Sequence, residues 1–168
     1  DDVGAVLLAW YPGEQGGHAV ADALLGDYSP GGRLPITFPV AEGQLPLYYN
    51  HKPTGRGDDY VDLTGQPLFP FGHGLSYTTF EYDQLVIAPA AITAGGRARV
   101  RLTVRNRGDR AGDEVVQLYV RDVLASVAQP VMALKGFQRV HLAPGEAREI
   151  DFELGPEQRL RGLGPSLF

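Results

Sequence analysis

The sequence predicts an α+β mixture of two unlike units held together by a rigid aromatic joint. Three observations predict it. Residues 1–66 combine one apolar run, one short amphipathic stretch and several Gly/Pro loops, which is how part of an open α/β sheet reads. Residues 79–168 consist almost wholly of short apolar–polar alternations between turn signals, which points to an antiparallel β-sandwich. Residues 67–78, with the ring of Phe80 just beyond, crowd prolines, glycines and aromatics into PLFPFGHGLSYTTF. Pro67 and Pro70 fix φ and remove donors, so a long helix is excluded there. Gly72 and Gly74 flank His73 and suit a tight turn, which His73 is expected to serve. Phe69, Phe71, Tyr77 and Phe80 need a surface to pack against, so all four are expected to be mostly buried between the units.

In the first unit, Gly4–Trp10 is a continuous apolar run, the mark of a strand buried on both faces. Tyr11-Pro-Gly-Glu-Gln-Gly-Gly17 breaks it. His18–Leu25 then reads as a short helix with Ala19, Val20, Ala23 and Leu24 along one side and Gly26 as its stop. Ile36-Thr-Phe38, bracketed by Pro35 and Pro39, is a short extended piece suited to a sheet edge.

Two loops of this unit carry candidate chemistry. The Tyr11–Gly17 loop follows the carboxyl end of the predicted strand, where open α/β sheets bind ligands. Its glycines admit a close backbone approach, and Tyr11 and Glu14 are its functional candidates. It is not a phosphate loop, because no Gly-x-x-x-x-Gly-Lys-Ser/Thr is present and Glu14 would repel phosphate. The structural reading of Glu14 is a carboxylate favoured by the helix dipole. The second loop is LPLYYNHKPTGRGDDY, residues 45–60. Tyr48, Asn50, His51, Lys52 and Arg56 place hydrogen-bonding groups beside aromatic rings, as sugar sites do, although ordinary surface loops share this mixture.

In the second unit the period becomes two from Thr79 onward. Ala98–Arg105 turns Val100, Leu102 and Val104 inward. Glu114–Arg121 does the same with Val116, Leu118 and Val120. Leu134–Leu142 is a third strand, and Gly136 is expected to mark a bulge because the phase slips between Phe137 and Val140. Arg148–Leu154 is a fourth, with Ile150, Phe152 and Leu154 inward.

Composition removes several function classes. The net charge is −5, with nine Asp/Glu against three Lys/Arg in residues 1–80 and eleven against twelve in residues 81–168. Neither half is basic enough for nucleic acid. Three of the six arginines of residues 97–110 fall on the solvent phase of one strand, where acidic residues on neighbouring strands can face them. Arg107-Gly108-Asp109 spells an adhesive tripeptide at a turn, and chance explains a three-residue match. There are no cysteines, so neither a disulfide nor a thiolate metal site is expected. His18, His51, His73 and His141 show no metal-ligand spacing, and neither metal nor cofactor is expected. No apolar run approaches the ~20 residues of a membrane span. Eleven of the sixteen aromatics lie in the acidic, Gly-rich residues 1–80, which fits a small polar ligand such as a sugar as well as a dense core. The opening Asp1-Asp2, without Met, reads as a piece cut from a longer polypeptide.

Five blocks in order, WYPGEQGGHAVADALLGDYSPGGRLPITFP, YYNHKPTGR, PLFPFGHGLSYTTF, AGDEVVQLYVRD and LKGFQRVHLAPGE, closely resemble glycoside hydrolase family 3, above all its bacterial β-glucosidases. The resemblance runs from Val3 to about Leu154. It implies that residues 1–66 end the family's second catalytic domain, a partial α/β sandwich. It implies that residues 79–168 form an immunoglobulin/fibronectin type III-like β-sandwich lacking its last strand, since EQRLRGLGPSLF stands where a closing strand is usual. The family cleaves terminal β-linked sugars with retention, using two carboxylates. The resemblance places the Asp nucleophile on an N-terminal barrel domain and the Glu acid/base upstream of Trp10, so no catalytic residue is expected in this chain. Tyr11, Glu14, Tyr48, Asn50, His51, Lys52 and Arg56 are then expected to support a substrate groove for a β-linked oligosaccharide or glycoside. A non-catalytic carbohydrate- or protein-binding sandwich is the alternative, and it should show a row of exposed aromatics. Glucoside or xyloside preference and the compartment are left open.

Overall fold

The computed structural model describes residues 3–54, 59–93, 95–123 and 127–158. One helix, α1 (Gly16–Leu25), precedes five strands: β1 (Phe80–Ala88), β2 (Ala98–Asn106), β3 (Gly112–Val120), β4 (Ala133–Leu142) and β5 (Ala147–Leu154). The strands form two antiparallel sheets, β1-β2-β5 and β3-β4. Their facing surfaces enclose the core of Val100, Leu102, Val104, Val116, Val140, Leu142, Ile150 and Phe152. The alternation of inward valines and leucines with outward arginines produces this placement, because successive side chains in a strand point to opposite faces. On the outer face, Arg99 and Arg101 both pair with Asp151, and Arg97 pairs with Glu153. Such solvent-exposed pairs add little to stability, because water and salt screen them. A bulge adjoins Gly136: Leu118 faces Gly136 but Tyr119 faces Leu134, so Lys135 is the extra residue, whereas the expected slip between Phe137 and Val140 is absent and the register there is regular.

The first unit differs from expectation in one main respect. Val3–Trp10 is not a strand, and Val3, Val6, Leu7, Leu8 and Trp10 are exposed. A strand is completed by hydrogen bonds to a neighbour, and no described segment forms a ladder with this one, although the Trp10 ring meets Phe38 at 6.5 Å between centroids. The helix forms where expected and ends on Gly26, whose φ of 85° is the left-handed conformation that glycine adopts without a Cβ penalty. Its buried face is narrower than the sequence indicates. Ala23 is buried and Val20 half-buried, whereas Ala19 and Leu24 stay exposed.

The joint connects the units mainly through hydrogen bonds. Residues 34–38 run antiparallel to residues 68–73, with the Leu34 amide on the His73 carbonyl at 2.8 Å and the Phe38 amide on the Phe69 carbonyl at 2.9 Å. The proline-bracketed piece thus finds its edge partner in the joint itself. His73 stacks on Phe69 with ring centroids 5.1 Å apart. The Tyr77 hydroxyl donates to the Ala23 carbonyl at 2.8 Å, and Arg110 donates to the Gly26 carbonyl at 3.3 Å. Arg110 thus reaches a carbonyl just past the end of α1, and Tyr77 adds a second donor to the Ala23 carbonyl, which also accepts the Gly26 amide at 3.3 Å. A Cβ on Gly74 would collide with the Gly32 carbonyl oxygen, which accounts for glycine at this crossing. The expected burial of all four joint rings is corrected. Phe71 and Phe80 are half-buried, but Phe69 is 37% and Tyr77 45% exposed. Tyr77 is placed by its hydroxyl, which needs an acceptor at the helix end and leaves one ring face in solvent.

Candidate functional site

The loop that follows the short helical turn Glu42–Gln44 is held at its base by Gln44, which is 2% exposed. Its amide oxygen accepts from the Val40 and Ala41 amides, and its nitrogen donates to the Thr64 and Gln66 carbonyls. All four hydrogen-bonding positions of the side chain are therefore used, which makes its burial tolerable. From this base the chain reaches Tyr48–Thr54 and lies against the outer face of the β3-β4 sheet.

Tyr49 anchors the loop there. Its ring stacks on Phe71 at 4.2 Å between centroids and meets Tyr119 edge-on at 6.0 Å. Its hydroxyl accepts from the Leu134 amide at 3.3 Å. Two residues on, the His51 carbonyl accepts from the Val131 amide at 2.9 Å. Beside these, Gln117 donates to the Gly72 carbonyl at 3.2 Å and accepts from the Tyr119 hydroxyl at 2.5 Å. Burial, and then the nearby Tyr49 hydroxyl, push the Tyr119 phenol above its ordinary pKa. Pinning Tyr49 and the His51 backbone leaves Tyr48, Asn50 and Lys52 facing solvent, with Tyr48 63% exposed. His51 is half-buried, and its Nδ1 lies 3.1 Å from the Lys52 carbonyl. Arg56 lies outside the described residues.

The other loop stands apart. Tyr11 is 99% exposed and Glu14 is also exposed. Among the described residues, no hydrogen bond, ion pair or ring contact joins either one to Tyr48, Asn50, His51 or Lys52. The structure therefore gathers four of the seven sequence candidates into one loop, and that loop contains no carboxylate within Tyr48–Thr54.

Three polar groupings were not legible in the sequence. Arg33 forms an ion pair with Glu114, their side chains 11% and 9% exposed, and Tyr82 donates to the same carboxylate at 2.7 Å. Burial first, then the bond to Glu114, raise the Tyr82 pKa. This pair ties the Gly32-Arg33 segment into the sandwich. Asp113 accepts from Arg139 and lies 2.7 Å from His141 Nδ1. Burial alone would raise the Asp113 pKa, but the bonds from His141 and Arg139 outweigh it and hold the carboxyl below its usual value. Asn106 is fully buried. Only the odd placement of Glu114 in the inward phase of β3 could have signalled any of these.

No group of three or more His, Asp or Glu among the described residues could hold a metal ion. No helix among them is long and apolar enough to cross a membrane. The exposed sandwich aromatics Tyr82 and Phe137 sit on different sheets, so they form no row.

Residues 1–77 match the Glycosyl hydrolase family 3 C-terminal domain, and residues 114–161 match the Fibronectin type III-like domain. A periplasmic beta-glucosidase of Salmonella typhimurium is 42% identical over 163 residues, which cover 91% of this chain and 21% of the relative. A beta-xylosidase of Formosa agariphila is 44% identical over 160 residues, covering 92% and 22%. Among solved structures, a β-glucosidase of Erythrobacter marinus superposes with a TM-score of 0.85 at 55% identity, covering 89% of this chain and 20% of that one. A beta-glucosidase of Listeria innocua in complex with glucose gives 0.81 at 37% identity, covering 89% and 22%. The chain thus spans about a fifth of the length of the relatives it matches. With both domain types in this order and relatives matched along nearly its whole length, the chain belongs to glycoside hydrolase family 3, carrying the family's C-terminal domain and a fibronectin type III-like domain.

Proposed function

We propose that this chain works within a retaining β-glucosidase-like hydrolase of terminal β-linked sugars, where it braces the active site and borders the substrate groove without supplying the catalytic pair. The observation that carries this reading is the pinned loop. Tyr49 is fixed by rings and a backbone amide, while Tyr48, Asn50 and Lys52 are presented outward with groups suited to sugar hydroxyls and ring faces. His51, Arg56 and, at the strand-end loop, Tyr11 and Glu14 complete the proposed border. Retention requires two carboxyl groups about 5–5.5 Å apart, one as nucleophile and one as acid. Glu14 makes no hydrogen bond or ion pair among the described residues, so no partner carboxyl or base is set beside it. In line with the family resemblance, the nucleophile is assigned to a barrel domain and the acid to a segment upstream of Trp10.

Two assays test this. The purified chain, and the same chain with Glu14→Gln, are given an aryl β-glucoside; background turnover in both is expected. Turnover that disappears in Glu14→Gln would overturn the reading and make Glu14 catalytic. The chain is also exchanged for the corresponding C-terminal fifth of the Erythrobacter marinus β-glucosidase. A graft that folds and hydrolyses the glucoside supports bracing, and a folded but inactive graft counts against it.

A further inference from the structure

We infer that the fibronectin type III-like sandwich sets the conformation of the Tyr48–Lys52 loop, with Tyr49 as a positioning residue, and so tunes sugar binding from outside the groove. This deepens the proposed function and rests on its assignment of the loop to the groove.

The inference comes from how the loop is held. Within Tyr48–Lys52, the only long-range hydrogen bonds among the described residues run to the start of β4 and the segment before it. The Tyr49 hydroxyl takes the Leu134 amide, and the His51 carbonyl takes the Val131 amide. The ring contacts of Tyr49 go to Phe71 in the joint and Tyr119 on β3. No such bond ties Tyr48, Asn50 or the Lys52 side chain to the first unit. The two anchors flank Asn50, so together they restrict the backbone from which its side chain projects. Tyr48 and Lys52 each lie one residue outside an anchor and inherit its direction. The outer face of β3 strengthens the clamp. Gln117 holds the Gly72 carbonyl, which keeps Phe71 under the Tyr49 ring, and the Tyr119 hydroxyl donates to Gln117. A groove border positioned in this way loses its pre-organisation when the clamp loosens, although every sugar-facing side chain remains. The expected signature is weaker substrate binding with an unchanged chemical step, because the reacting carboxylates are not touched.

The experiment uses two variants that each remove one hydrogen-bonding atom. Tyr49→Phe keeps the rings and deletes the acceptor for Leu134. Val131→Pro deletes the donor to His51. In the complete 168-residue chain, hydrogen exchange of the peptide spanning residues 48–54 is compared with that of β2, whose protection reports the global fold. Both variants are then placed in the Erythrobacter marinus graft and assayed for kcat and KM. Faster exchange of residues 48–54, unchanged β2, and KM raised about three- to tenfold at constant kcat are expected; that factor corresponds to about one net hydrogen bond. Unchanged exchange of the loop overturns the clamp. Faster exchange with unchanged KM leaves the loop clamped but outside the groove, which overturns both this inference and the groove assignment while leaving the graft's turnover intact. A loss of kcat at constant KM would place the loop in the chemical step and overturn the positioning role.

Discussion

Asn106 shows how one buried amide can hold a turn between two sheets. It is 0% exposed, yet its oxygen accepts from Thr78 Oγ1 at 2.6 Å and the Gly108 amide at 3.0 Å. Its nitrogen donates to the Arg110 carbonyl at 2.7 Å and the Leu142 carbonyl at 3.0 Å. The four partners come from the joint, the β2–β3 turn and the end of β4. Asn106→Ala strips two donors and two acceptors of a partner at once. The expected loss is about 1–3 kcal/mol, read as a lower urea midpoint at an unchanged m-value. Asn106→Asp should cost more, because a carboxylate would face two carbonyl oxygens. A midpoint equal to that of the native chain in both variants would show that the amide carries no such role. Nothing in VRNRGD indicated this, since the partners lie up to 36 residues away. Tyr49 is a similar case at the candidate site. Its neighbours in sequence were legible as sugar-type groups, but its own anchoring partners, Phe71, Tyr119 and Leu134, are distant in the chain.

Strands were the most legible elements, because a period of two with one apolar face leaves little freedom of register. The β2 and β5 bounds fall within one residue of their sequence-based limits, and a bulge does adjoin Gly136, though at Lys135 and not between Phe137 and Val140. Gly4–Trp10 was misread for a physical reason: apolarity shows that a segment can be buried, not that a partner strand lies beside it. Gly136 also carries an element-scale prediction. A Cβ there would stand 3.0 Å from Phe152 Cδ1 and 3.3 Å from Cε1. Phe152 is buried opposite Val100 in the β2–β5 ladder, so its ring has little room to retreat. Gly136→Ala is expected to destabilise the chain by about 1–3 kcal/mol through overpacking. Adding Phe152→Leu should recover part of that loss relative to the sum of the single changes, since the two side chains would compete for one space. Strict additivity of the two changes would argue that the bulge and the ring do not meet.

At the scale of the whole molecule, several large apolar side chains stay exposed among the described residues. They are scattered along the chain, and two runs of them stand out. One is the unpaired segment of Val3, Val6, Leu7, Leu8 and Trp10. The other is β1, where Tyr82, Leu85 and Ile87 are 50%, 65% and 40% exposed although β1 belongs to a core-forming sheet. In addition, β3 pairs only with β4 among the described residues, so its other edge offers backbone donors and acceptors without a ladder partner. Apolar patches of this extent and open edges favour association with further chains, since each contact removes apolar area and pairs backbone groups together. The 168-residue chain by itself is therefore expected to self-associate reversibly at concentrations of about 10–100 μM, a range in which weak interfaces become populated. Sedimentation velocity across that range should show a rising weight-average coefficient. Charges introduced at Leu7→Lys and Leu85→Lys should suppress it, because a lysine ammonium enclosed between two chains would have to shed its water without a partner charge. Both substitutions lie at exposed positions and so leave the sandwich core intact. A chain that sediments as a monomer throughout, melts cooperatively and shows strongly protected β3 edge amides would refute this reading and require those surfaces to be covered within one chain.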